Sequence, residues 1–236
     1  MNIVKFSINQ DVLKIVALVT MTIDHIAKYI FDASMDNIYV GIGRISFPIF
    51  AFLLMKHLAT KQIYSKYLIR LGIFGALVVG LSLPFRGVVK VANILPFNIL
   101  ISFFVAVLFL YICSLIQKEK GPLWVKISML ILNLLYCAML SCVCDYGIYG
   151  FLFLVLLYFY FYFIKSCRIL LFLVLIFSGL ININSMFWFV GVLTTLVLLF
   201  NDYDKKSKRL LKKWWWFYVY YPLHLLIIGL VSYLGN

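Results

Sequence analysis

An all-α fold, a polytopic integral membrane bundle of about nine transmembrane helices, is predicted by three observations. The first is composition: of 236 residues, 65% are hydrophobic and only 12% charged, whereas soluble domains run about 45–50% apolar and about 25% charged. The second is the mean hydropathy of +1.07. A soluble chain of this size still exposes roughly a quarter of its unfolded surface, so no single core would hide so much apolar surface. The third is pattern. The apolar stretches are continuous for about 18–22 residues, the length of a helix crossing hydrocarbon. Barrel strands would instead alternate apolar and polar residues over about ten positions.

The elements follow in order. A first run, 11–31, is retained as a helix, because residues 1–14 lack the basic segment, short apolar core and small-residue cleavage site of a signal peptide. The gap after it carries Asp32 and Asp36. The second run, 38–58, contains Gly41, Gly43 and Pro48 and ends in a gap with Lys56, Lys61 and Lys66. A third run, 67–84, starts beside Arg70 and is followed by Arg86 and Lys90. The fourth, 96–117, leads to Lys118, Lys120 and Lys126, and the fifth, 123–143, to Asp145. The sixth, seventh and eighth runs, 147–164, 168–182 and 185–200, are short. They are separated by Lys165 and Arg168, then by Asn182 and Asn184. Six bases between Lys205 and Lys213 precede the last run, 215–234, where Trp214, Trp215, Trp216 and Tyr218 suit an aromatic belt. No repeat or linker divides the chain, so residues 1–236 read as one domain.

Basic residues concentrate in alternate gaps, which by the positive-inside rule makes those gaps and the N-terminus cytoplasmic. The expected location is a cytoplasmic membrane crossed many times. Arg86 and Lys90, in the third gap, break the alternation. The formal charge of +13 is thereby read as topology and not as a nucleic-acid footprint; lipid is the expected partner. Five cysteines (Cys113, Cys137, Cys142, Cys144 and Cys167) lie in or beside apolar runs, at no spacing that suits zinc. They read as small buried residues, and no metal is expected.

Ionisable groups inside spanning helices cost at least about 2.5–3.5 kcal/mol each, so each is a functional candidate. They are Asp24, His25, Lys28, Arg44, His57 and His224. His57 falls at a helix edge and reads as interfacial. Counting from Asp11, Asp24 and His25 lie about 20 Å from the cytoplasmic side. Arg44, about 9 Å down the next helix, shares their depth. Asp24 has two possible ion partners, Lys28 one turn on and Arg44 across the helix contact. His25 is either a proton acceptor poised near neutral pH or a helix–helix hydrogen bonder, and the same alternatives hold for His224. Pro48 frees the carbonyl of Arg44, so a kink and the arginine coincide. An arginine there can neutralise Asp24 or polarise a carbonyl.

The chain resembles the TraX family of membrane proteins. The likeness rests on Leu13-Lys14-Ile15-Val16-Ala17, on Met21-Thr22-Ile23-Asp24-His25-Ile26, and on Gly43-Arg44-Ile45-Ser46-Phe47-Pro48-Ile49-Phe50-Ala51-Phe52. It continues in Lys66-Tyr67-Leu68-Ile69-Arg70, Asn98-Ile99-Leu100, Tyr146-Gly147-Ile148-Tyr149-Gly150 and Tyr220-Tyr221-Pro222-Leu223-His224-Leu225. The F-plasmid namesake of the family is associated with N-terminal acetylation of conjugative pilin. The family is itself similar to multi-span membrane acyltransferases, which use cytoplasmic acetyl-CoA. The resemblance therefore implies a bacterial inner-membrane acyltransferase with acetyl-CoA as donor and a pilin amine or an envelope glycan as acceptor. His25 would be catalytic with Asp24 and Arg44 beside it, and Asn98, Tyr149 and His224 would line the pocket. Lys205–Lys213 would attract the donor, or simply anchor the cytoplasmic face. The competing readings are a transporter or channel component and a non-catalytic scaffold for pilus or envelope assembly.

Overall fold

The computed structural model describes residues 9–83, 98–163, 167–200 and 216–234. Regular structure among them is helical throughout: α1 (Gln10–Tyr29), α2 (Ile38–Gly43), α3 (Ser46–Lys61), α4 (Tyr64–Ser82), α5 (Ile99–Lys118), α6 (Leu123–Cys142), α7 (Gly147–Tyr162), α8 (Arg168–Leu180), α9 (Trp188–Phe200) and α10 (Trp216–Leu234). Every predicted run is present. Among the described residues four stretches are long and apolar enough to cross a membrane: Ile38–Lys61, Tyr64–Leu81, Ile99–Lys118 and Leu123–Cys142. Shorter apolar helices accompany them. This is a membrane helix bundle. Helix α1 equals α5 in length but is less apolar, because it holds Asp11, Lys14, Asp24 and Lys28. Arg86, Lys90, Lys165, the Lys205–Lys213 cluster, Trp214 and Trp215 lie outside the described residues.

Local sequence accounts for the helix ends. Asn9, Asn37 and Asn98 precede α1, α2 and α5, and each side chain accepts a hydrogen bond from a backbone N–H of the first turn. Gln62 closes α3 in the left-handed conformation, with its N–H donated to the Leu58 carbonyl. The second predicted run differs from expectation, since it is broken and not merely kinked. Pro48 sits in the first turn of α3 and has no N–H for the Arg44 carbonyl. Arg44 and Ile45 instead make tighter bonds to Gly41 and Ile42, at 3.1 and 3.2 Å.

The heart of the bundle is α3, α5 and α7. Phe47, Met55, Leu58, Val107, Phe151, Phe153, Leu154 and Leu157 there have almost no accessible surface. Around it α1 packs on α3 and α10, α10 on α4, α4 on α5, α5 on α7, and α7 back on α3, which closes a ring of six helices. Helices α6, α8 and α9 lie outside that ring, and α6 exposes Leu132, Tyr136 and Met139 as a lipid-facing helix would. One end of the bundle carries the connections 30–37, 143–146 and 181–187 and is called the far end below. The opposite end carries 62–63 and 119–122.

Candidate functional site

The site starts on the last turns of α1. Asp24 and Lys28 stand one turn apart with the acid first, the favourable order on a helix, and their side chains pair at 2.7 Å. The carboxylate lies against the α2–α3 junction. A Cβ added at Gly43 would sit 2.3 Å from Asp24 Cβ and 2.9 Å from its Oδ1, so only glycine lets the two helices approach this closely. Asp24 Oδ1 is buried with no hydrogen-bond partner.

Arg44 follows Gly43 directly and is 7% exposed. Its Nη2 reaches Met35 Sδ at 3.6 Å, and its Nε has no partner. Of the two ion partners open to Asp24, the structure uses Lys28. Arg44 makes no ion pair among the described residues, although it lies within electrostatic range of Asp24 and Asp145. A buried cation held without a counterion costs several kcal/mol, which makes this arginine the least explained by packing.

His25, about 100° round the helix from Asp24, faces α10. Its Nδ1 lies 2.9 Å from Nε2 of His224, and the two ring planes are 3° apart with centroids separated by 5.1 Å. Parallel planes at that separation, with the nitrogens in contact, describe rings joined edge to edge by a hydrogen bond. On its other side His224 Nδ1 is 2.9 Å from the Tyr220 carbonyl. Asp24 and His25 are not hydrogen-bonded to one another, as their angular separation predicts.

A second group closes the site at the far end. Ser102 of α5 donates to the Asp145 carbonyl at 2.6 Å, and the Asp145 carboxylate accepts the backbone N–H of Tyr146. Asp145 keeps open surface while standing within electrostatic range of Lys28, Asp24, Arg44, Tyr29, Tyr146 and Tyr221. Those neighbours come from α1, α10, the α2–α3 junction and the turn before α7, so the residue lines a recess and not a convex surface. Crowding by protein raises its carboxyl from the ordinary value of 3.8 to about 6, against the pull of Lys28. The sequence Tyr146-Gly147-Ile148-Tyr149-Gly150 supplies the turn. Tyr146 and Gly147 both have positive φ, 65° and 55°. A Cβ at Gly150 would meet Tyr146 Cβ at 2.6 Å. Tyr146 thus folds back to stack on Phe47, centroids 4.2 Å apart.

Of the residues expected at the site, Asp24 and Arg44 come together at the α2–α3 junction, and His25 meets His224 of α10 on another face of α1. Asn98 is close by as the cap of α5. Its Oδ1 accepts Leu100 N–H and its Nδ2 reaches the Gly75 carbonyl at 3.5 Å. Tyr149 does not join them; it is 44% exposed and its ring neighbours Phe177 of α8. Asp145, Tyr29 and Tyr221 are additions that sequence reasoning missed as site residues. Tyr221 stands next to Pro222 in a motif already singled out, and that was the available signal. An apolar cleft of about 320 Å³, lined by Leu13, Ile49, Leu193 and Val197 among others, opens between α1, α3 and α9 and has no charged lining. It is separate from the polar cluster.

The class of protein is now defined: a polytopic membrane helix bundle in which α1 meets α10 through a histidine pair and the α2–α3 junction through an aspartate beside a buried arginine that makes no ion pair among the described residues. The model of a family described as TraX protein matches residues 9–232, and the chain belongs to the TraX family. No curated protein and no solved structure matches it.

Proposed function

We propose that this protein is a membrane-embedded acyltransferase that passes an acetyl or other acyl group from cytoplasmic acyl-CoA to an amine or hydroxyl at the extracytoplasmic face. The acceptor class includes a pilin N-terminus or an envelope glycan, and the membrane is the bacterial inner membrane with the N-terminus inside. Family membership supports a membrane role of this kind. The observation that carries the reading is the contact of His25 with His224, one residue along α1 from Asp24, which itself lies beside the buried Arg44. An unpaired buried guanidinium is costly in lipid and useful where negative charge develops.

In the reaction, His25 removes the proton from the acceptor N–H or O–H as its lone pair attacks the thioester carbonyl. The carbonyl π electrons move onto oxygen, and Arg44 steadies that oxyanion. Collapse breaks the C–S bond, and the leaving thiolate takes the proton from His25, giving acylated acceptor and free CoA. Lys28 holds Asp24 in place beside the α2–α3 junction. The donor approaches from the cytoplasmic side, where the basic cluster at 205–213 favours a phosphate-rich molecule.

Purified protein in lipid vesicles should hydrolyse acetyl-CoA slowly even without acceptor. His25→Ala should lower that rate roughly 10²–10⁴-fold while helix content stays unchanged. Full transfer by His25→Ala would end the acyltransferase assignment to this residue. Solute movement in sealed vesicles with no acetyl-CoA consumed would favour the transporter reading instead.

A further inference from the structure

The bonds around the histidine pair have a fixed direction. Thr22 Oγ donates to the Leu18 carbonyl at 2.8 Å, so the 2.7 Å contact between Thr22 Oγ and Tyr220 Oη has the tyrosine as donor. The Tyr220 carbonyl can only accept, so His224 Nδ1 carries a proton toward it. In a neutral ring the other nitrogen of His224 is then an acceptor, and the proton between the rings belongs to His25 Nδ1. That leaves His25 Nε2 bare. No other described group bonds to Nε2.

The arrangement is held twice over. Residues 22 and 25 on one turn of α1 meet 220 and 224 on one turn of α10 through two separate hydrogen bonds. The Tyr220 ring also stacks over His224, 5.1 Å away and 13° from parallel. Pro222 lies within that turn of α10, where its missing N–H loosens the helix.

We propose that His224 is a positioning residue that holds His25 in the Nδ1–H tautomer, so that Nε2 is the atom that takes the acceptor's proton. This gives His224 a task distinct from lining the substrate pocket, and its catalytic part rests on the acyltransferase reading above. In the reaction His224 neither gains nor loses a proton. It accepts from His25 Nδ1–H before and after the transfer and stabilises the imidazolium formed in between, as a hydrogen-bonded partner does for a general base.

The test uses full-length protein in lipid and two variants. His224→Leu keeps the bulk but removes the acceptor. His224→Gln places a carbonyl oxygen near the lost Nε2 and restores it. The chain has only 3 histidines, so ¹⁵N-histidine spectra resolve the tautomer of His25 directly, with His25→Ala identifying its signals. The wild type should show a protonated Nδ1 and a bare Nε2, His224→Gln the same, and His224→Leu a shift toward Nε2–H. With acetyl-CoA, His224→Leu should lose kcat on the order of 100-fold with KM held within roughly threefold, and His224→Gln should return to within about tenfold of wild type. A wild-type tautomer and kcat in His224→Leu would overturn the proposal. So would a rise in KM with kcat intact, which is the mark of a substrate contact. If His25→Ala retains full activity, the assignment of His25 as the base fails while the spectra still decide whether His224 sets the tautomer.

Discussion

Helices α1 and α6 are both 20 residues long, and both turn polar side chains inward, yet they treat those groups in opposite ways. On α6 the buried residues are Asn133, Cys137 and Ser141, a stripe at intervals of one turn. Asn133 donates to the Phe109 carbonyl at 3.1 Å and to Cys113 Sγ, Cys137 donates back to Asn133, and Ser141 bonds the Ala138 carbonyl. Asn133 is the glue that fastens a lipid-facing helix to α5, while Cys137 and Ser141 find their partners within α6 itself. On α1 the inward groups are charged, and their surroundings leave Asp24 Oδ1 and Arg44 Nε unbonded. Packing alone accounts for α6. It does not account for α1, where burial is costly and the bonding incomplete.

The comparison can be broken in three places, in order of decreasing effect. Asp24→Leu removes the carboxylate that pairs with Lys28 among the described residues and leaves Asp145 as the acid within electrostatic range of Lys28 and Arg44, so it should cost about 3–5 kcal/mol, the range for breaking a buried pair. The change would be read as a large fall in thermal midpoint in lipid, together with lost acetyl-CoA turnover. A midpoint close to wild type would mean that Lys28 escapes to water and that the pair is superficial. Asn133→Leu should lower stability by only about 1 kcal/mol and leave turnover intact; a loss of turnover at unchanged stability would place α6 inside the mechanism. The smallest effect concerns Asp145. Its carboxyl is raised to about 6 in the folded protein from an ordinary 3.8, so the folded state binds the proton more tightly. The resulting stability is complete below about pH 4 and is lost as pH rises through about 6. Unfolding midpoints should therefore decline modestly across that window, and Asp145→Asn should flatten the decline.

Much of this was legible from sequence because hydropathy gives depth and helical spacing gives rotation. The nine runs, the Asp24–Lys28 pairing as one alternative, and the separation of Asp24 from His25 all follow from those two coordinates. What they do not give is which helices become neighbours. That His25 would meet His224 across 199 positions is a matter of ring closure in the bundle, and neither residue's surroundings on its own helix reveal it. Tyr149 belongs to a motif that the resemblance ties to the site, but its place one turn into α7 points it to α8, whereas Tyr146 is turned inward by the left-handed pair at 146 and 147. Asp145 reads in the sequence only as an acid in a gap, since a loop residue has no helical phase from which its direction can be inferred. Pro48 was seen to disturb the second helix, but whether that disturbance bends or severs a helix depends on what lies against the junction.

What lies against that junction is late chain. Ser185 donates to the Met35 carbonyl at 3.0 Å, Met186 N–H to Asp36 at 2.7 Å, each bond bridging 150 positions, and Phe187 presses on Gly41. A ribosome makes the break at Arg44 long before it makes the segment that covers it. For most of synthesis the first two helices must hold an aspartate, a histidine and an arginine with neither α9 nor α10 in place. Early intermediates of insertion are then the vulnerable ones. A chain interrupted before residue 181 would expose to lipid or to quality-control proteases the same polar groups that the finished bundle encloses.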